Sequence, residues 1–146
     1  MPSMYITKFQ FLVFFLLSQL TFSQSILGKW KTIDDETGIE KGIVEIYEKG
    51  GHIYARILDI LEPQYKNSKC SLCCCEQKNE PLLGLVIIKG LKKDDNEYNG
   101  GTVLDPKNGK HYKCYIKLEE KDKLKVRGYL GVALFGRTQY WYRVKK

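Results

Sequence analysis

Residues 100–144 constrain this chain more than any other stretch. Apolar and polar side chains alternate there with a period of two, turn residues separate the runs, and no helical stripe crosses them. That pattern specifies consecutive antiparallel strands, each with one face turned to a core. Tyr112, Cys114, Ile116 and Leu118 share one face; Lys113, Tyr115, Lys117 and Glu119 share the other. Beyond the turn at Glu120-Lys121-Asp122, Leu124 and Val126 extend the apolar face, and Lys123, Lys125 and Arg127 the polar one. Asp105-Pro-Lys-Asn-Gly109 is the strongest turn signal, because Asp accepts from the backbone ahead, Pro presets φ, and Asn-Gly tolerates left-handed geometry. A last strand is expected over residues 133–144, after bends permitted by Gly128 and Gly131.

The preceding residues repeat the theme. A first strand carries Trp30 and ends in Asp34-Asp-Glu-Thr-Gly38, a turn in which carboxylates cap local backbone donors and Gly38 takes the positive-φ position; its adjacent acids are expected to be solvated rather than a metal or acid/base cluster. Val44 and Ile46 mark the inner face of a strand over 42–48. Gly50-Gly51 then turns the chain into a return strand over 52 to about 61. The apolar run 82–88 is read as a buried strand, Lys92-Lys93-Asp94-Asp95-Asn96 as a turn, and Gly100-Gly101 as a bulge or sharp bend. About eight strands with short connections and no amphipathic helix must close or fold over to bury their apolar faces. An all-β, antiparallel, up-and-down barrel is the economical solution.

Lys8 precedes an apolar run over 9–20, followed by Thr21 and Ser23. The run is shorter than the roughly 20 residues a membrane span needs, and the small residues suit a signal peptidase. Residues 1–23 are therefore expected to be a signal peptide, leaving one barrel domain over 24–146 in an exported protein, periplasmic or extracellular. The net charge of +7 favours approach to an anionic envelope surface, and export argues against nucleic acid.

A long loop over 62–80 carries Cys70-Ser-Leu-Cys73-Cys74-Cys75. In an oxidising compartment a disulfide among Cys70, Cys73, Cys74 and Cys75 is the default; thiolate metal ligation and free redox thiols are the alternatives. Cys114, on an apolar strand face, is expected to be a buried thiol. No cofactor is implied. Neither His52 nor His111 sits in a nucleophile motif, and there is no Gly-x-Ser-x-Gly or His-Glu-x-x-His, which lowers the expectation of an enzyme.

Five ordered blocks carry a resemblance: Gly28-Lys-Trp30; Asp34-Asp-Glu-Thr-Gly38; Gly101-Thr-Val-Leu-Asp-Pro106 with Gly109 and Tyr112; Leu124-Lys-Val-Arg-Gly-Tyr129 with Gly131; and Phe135-Gly-Arg-Thr138 with Trp141 and Arg143. In these the chain resembles the secreted bacterial family called domain of unknown function 2147. The resemblance implies a lipocalin-like, calycin-type barrel and no particular reaction. It further implies barrel closure by Gly28, Trp30 and Arg143, with the guanidinium stacked over the indole. The expected function is binding of a small apolar or amphiphilic ligand, a lipid or its acid. Arg137, Tyr129, Tyr140 and Arg127 are the candidate anchors, Arg137 the strongest because Gly136 and Thr138 flank it. The alternative is an envelope structural or interaction protein whose barrel is filled by side chains.

Overall fold

In the computed structural model, which describes residues 24–145, the alternating runs form eight antiparallel strands of one closed barrel. They are β1 Gly28–Ile33, β2 Glu40–Lys49, β3 His52–Ile60, β4 Val86–Asp94, β5 Glu97–Asp105, β6 Lys110–Glu120, β7 Lys123–Tyr129 and β8 Gly136–Arg143. The expected leader, residues 1–23, lies outside the described residues. Each strand pairs with its sequence neighbours, and β1 closes on β8 with Trp30 opposite Arg143 and Thr32 opposite Trp141. Closure gives every strand two partners, so no edge remains to recruit another chain.

Strand directions alternate, which sorts the connections between two ends. The β2–β3, β4–β5 and β6–β7 links are two residues each and lie at one end. There Gly50 and Gly51 supply the positive φ values, +59° and +76°, that a tight turn requires. The longer connections, 34–39, 61–85, 106–109 and 130–135, all lie at the other end. One end is therefore sealed by hairpins and the other is a mouth built from loops.

Trp30 plugs the sealed end. It is fully buried, its Nε1 donates to the Ile26 carbonyl at 2.8 Å, and the Arg143 guanidinium lies 4.2 Å from its ring centroid. Arg143 also donates to the carbonyls of Ser25, Leu27 and Lys121 and pairs with Asp122 at 3.5 Å. The stacking contributes about 0.5–2 kcal/mol, and the carbonyl bonds tie the N-terminal segment across the barrel floor. Ile46, Ile88, Leu91, Ile116 and Leu124 fill the rest of the packed interior and are fully buried.

Three segments differ from the sequence reading. The run 82–88 is not one strand: Leu82 and Leu85 pack inward from a loop, Gly84 has φ +87°, and β4 starts at Val86. The expected turn at 92–96 shrinks to Asp95-Asn96, because Lys92, Lys93 and Asp94 still pair with β5. Gly90, at φ +76°, shifts the alternation so that Ile88 and Leu91, three apart, both face inward. The last strand begins at Gly136 rather than 133, and residues 130–135 form a loop.

Candidate functional site at the barrel mouth

The packed core ends part-way up the barrel. Val44, Val126 and Trp141 belong to the core cluster and also line a cavity of about 900 Å³ that opens at the mouth. Ile57, Ile87 and Val103 continue its walls. Gly128 helps to keep this space free, since a Cβ there would meet Val103 Cγ1 at 3.1 Å. The inward face of β1 runs from Trp30, below the cavity, to Thr32 and, just past the strand, Asp34 on its lining; that of β8 runs from Trp141 to Gln139 and Arg137. Two-residue periodicity thus delivers charge to the rim and apolar groups to the interior.

The rim charges are paired. Asp34 is 4% exposed and accepts from Lys107 Nζ at 2.8 Å, the Thr37 amide at 3.0 Å, the Thr37 hydroxyl at 3.1 Å and the Glu36 amide at 3.1 Å. The Lys107 hydrogen bond, with the Thr37 amide, holds its carboxyl far below the usual carboxylate range. Arg137 grips Asp35 through Nε and Nη2, 2.6 Å each, and Gln139 Nε2 reaches the same carboxylate at 3.3 Å. This lowers the Asp35 pKa and raises that of Arg137. Lys41 pairs with Glu62 at 2.9 Å. The β1–β2 turn is thus tied to the β5–β6 turn on one side and to β8 on the other. The expectation of solvated acids in this turn holds for Glu36, which is exposed, and is corrected for Asp34, which is buried, and Asp35, which is paired. Its signal was legible, because Asp34 continues the inward alternation of Trp30 and Thr32.

The four proposed anchors separate. Arg137 lies on the cavity rim, already matched to Asp35. Tyr129 borders the mouth, but its ring packs against Tyr115 on the outer wall, 6.4 Å between centroids. Tyr140 points outward, with Lys123 Nζ 4.6 Å from its ring centroid. Arg127 is also on the outer wall, where it donates to the carbonyls of Ala133 and Leu134 and to the Thr138 hydroxyl. Odd positions of β7 face out, so Arg127 follows Lys123 and Lys125 away from the interior.

Cys70 and Cys73 form a disulfide that is buried against the core. Cys74 and Cys75 are free and exposed, and burial pushes the Cys114 thiol up to about 12. The cysteine loop lies tightly on the β5–β6 turn. A Cβ on Gly109 would collide with the Leu72 carbonyl, and Cys70 Sγ approaches the Pro106 carbonyl at 3.9 Å. Among the described residues, no three His, Cys, Asp or Glu side chains come together as a metal site. His52 lies beside the sealed-end turn, bonded to the Gly50 carbonyl, and His111 opens β6 at the mouth.

Comparison with known proteins gives the same architecture. Residues 28–143 match the family described as "Uncharacterized protein conserved in bacteria (DUF2147)". The chain belongs to the DUF2147 family. This DUF2147 barrel is similar to a solved Helicobacter pylori structure described as "Protein HP1028 from the human pathogen Helicobacter pylori belongs to the lipocalin family". The likeness has a TM-score of 0.73 at 22% identity, covering 83% of this chain and 84% of that one. At that identity the likeness speaks to fold, which is lipocalin-like. No curated protein sequence matches the chain.

Proposed function

We propose that this DUF2147 barrel is an exported carrier for a small amphiphile, with the apolar tail in the cavity and the polar end at the rim. The observation that carries the reading is the cavity of about 900 Å³, apolar in its interior and polar at its mouth. Its size suits a lipid-sized ligand, since small-molecule sites span roughly 300–1,000 Å³. It counts against the alternative of a barrel filled by side chains. A disulfide and the lack, among the described residues, of any helix long and apolar enough to cross a membrane fit export.

The rim refines the ligand. Arg137 and Lys107 already face Asp35 and Asp34, so a bare carboxylate would have to displace a matched partner. A neutral or zwitterionic head, such as a hydroxyl-bearing monoacylglycerol, finds both donors and acceptors without breaking a pair.

The test is a titration with the neutral fluorophore N-phenylnaphthylamine, followed by displacement with monoacylglycerol. Saturable uptake is expected, and Val103→Trp, which fills the cavity from its wall, removes it while circular dichroism stays that of a barrel. No uptake by the parent, or undiminished uptake by the folded Val103→Trp variant, defeats the reading.

A further inference from the structure

The β7–β8 loop combines features that no barrel needs for its own closure. Its side chains, Leu130, Val132, Leu134 and Phe135 around Gly131 and Ala133, include no polar group. The four large ones are 63%, 59%, 80% and 70% exposed. An exposed apolar tip of this kind ordinarily costs solubility and marks an interaction site.

The carbonyls of the tip find their donors within the protein. Leu130 N donates to the Phe135 carbonyl at 3.2 Å, and Phe135 N to the Val132 carbonyl at 3.1 Å. Arg127 supplies Nε to the Ala133 carbonyl at 2.7 Å and Nη2 to the Leu134 carbonyl at 3.1 Å. Lys113 Nζ reaches the Gly131 carbonyl at 3.5 Å. The five carbonyls from Gly131 to Phe135 therefore all accept a hydrogen bond without water. That condition matters little in solvent and greatly in hydrocarbon, where an unpaired carbonyl is costly.

The stem beneath the tip is basic. From Lys123 to Arg137 the chain holds Lys123, Lys125, Arg127 and Arg137 and no carboxylate side chain. Lys123, Lys125 and Arg127 lie on the outer face of β7 beside Lys113 and Lys117 of β6. Tyr115 and Tyr129, amphipathic rings of the kind that favour a membrane interface, lie among them on the same outer face, Tyr129 opposite Lys113 and Tyr115 opposite Arg127. Acidic groups meet the end of this stem away from the tip, Glu97 opposite Lys117 and Glu120 opposite Lys123, while Glu36, on the adjoining turn, lies 3.3 Å from Arg137.

We infer that the 130–135 tip and its basic stem dock the barrel, mouth first, onto an anionic phospholipid surface. The tip enters the acyl boundary while the stem lysines meet the headgroups. A bilayer is favoured over a second copy or a protein partner because the tip is narrow, apolar in every side chain and set on a basic stem. Leu130 and Phe135 also line the cavity mouth, so the docked tip joins the cavity to the acyl layer. Docking itself does not depend on what the cavity holds.

The test uses a chain starting at Gln24, which contains every strand of the closed barrel. It is floated with phosphatidylcholine vesicles with and without about 30% phosphatidylglycerol. Binding is expected to the anionic vesicles. Leu134→Ser with Phe135→Ser should weaken it at least about tenfold, as loss of buried apolar area requires. Lys113→Gln with Lys125→Gln should weaken the preference for anionic lipid. Phe135→Trp, which keeps an apolar tip, should blue-shift and be quenched by doxyl lipid, so the inference stays testable if the serine variant misfolds. Val103→Trp must dock as the parent does, which separates this inference from the cavity reading. Failure of the parent to float, flotation unchanged by the tip substitutions, or a tip-dependent dimer without lipid binding overturns it.

Discussion

Asp35 and Arg137, 102 residues apart, meet as a two-point fork at the barrel mouth, each carboxylate oxygen 2.6 Å from a guanidinium nitrogen. A residue placed to bind an anionic ligand is therefore held by an anion of the protein itself. Releasing it should change what the cavity selects. Asp35→Asn is expected to strengthen binding of a fatty carboxylate relative to the matching monoacylglycerol by about fivefold, or about 1 kcal/mol. Paired displacement titrations measure this. An unchanged ratio means that Arg137 does not reach the ligand head. Because both side chains are partly exposed, the pair's coupling in a double-mutant unfolding cycle should not exceed about 1 kcal/mol.

Acid should loosen the mouth. Asp34 and Asp35 both have folded pKa values below the unfolded value of about 3.9. As pH falls, the unfolded chain therefore binds protons first. Their contribution is complete above about pH 5 and is lost as pH falls through about 4 toward the folded values. Urea midpoints taken between pH 7 and pH 2.5 should trace that decline. Asp34→Asn should be less stable at pH 7 by about 1–3 kcal/mol, with a shallower fall in acid. A variant with the parent's pH slope would place the titrating group elsewhere.

Gly109 and Gly50 share a left-handed backbone, φ +71° and +59°, but not their surroundings. A Cβ at Gly50 meets nothing within 4 Å, whereas one at Gly109 runs into the Leu72 carbonyl. Gly50→Ala should cost about 1 kcal/mol, the conformational penalty alone. Gly109→Ala should cost clearly more and lift the cysteine loop. Denaturant unfolding measures the first difference, and protease nicking within residues 70–80 reports the second.

Thiol chemistry should divide the three free cysteines. Cys74 and Cys75 are exposed, while Cys114 is fully buried and its thiol is pushed up to about 12. Ellman's reagent is expected to titrate two thiols rapidly in the native protein and a third only on unfolding. Three rapid equivalents would show that β6 opens in the native state.

Much of this fold was legible in the sequence because strand physics is local. Leu124 and Val126 announce their inward face within a few residues, and Gly50-Gly51 announces its turn without reference to anything distant. The β4 region is ambiguous in sequence because its apolar run spans a loop and a strand alike. Composition could not reveal that Gly90 shifts the alternation between Ile88 and Leu91.

Of the cavity rim, only fragments could be read. Arg137 was singled out from its neighbours, yet its partner lies in a turn whose acids looked solvated. Arg127 and Tyr140 shared its chemistry but stand on the outer wall, since strand parity, not residue type, decides which side of a barrel a side chain meets. Residues 133–135 read as the start of the last strand because a short apolar run suits loop and strand alike. Arg127 resolves the difference by reaching across to the Ala133 and Leu134 carbonyls.

By itself, then, the sequence determined an antiparallel all-β chain with tight turns and a need to close, because period-two burial and glycine-bearing turns are properties of neighbouring residues. Tertiary structure alone decided that the core stops beneath an open cavity, that Asp34 meets Lys107 and Asp35 meets Arg137, and that an apolar tip stands at the mouth. Those pairs join residues 73 and 102 positions apart. Contacts at that separation exist only once barrel closure and strand register have brought the segments together.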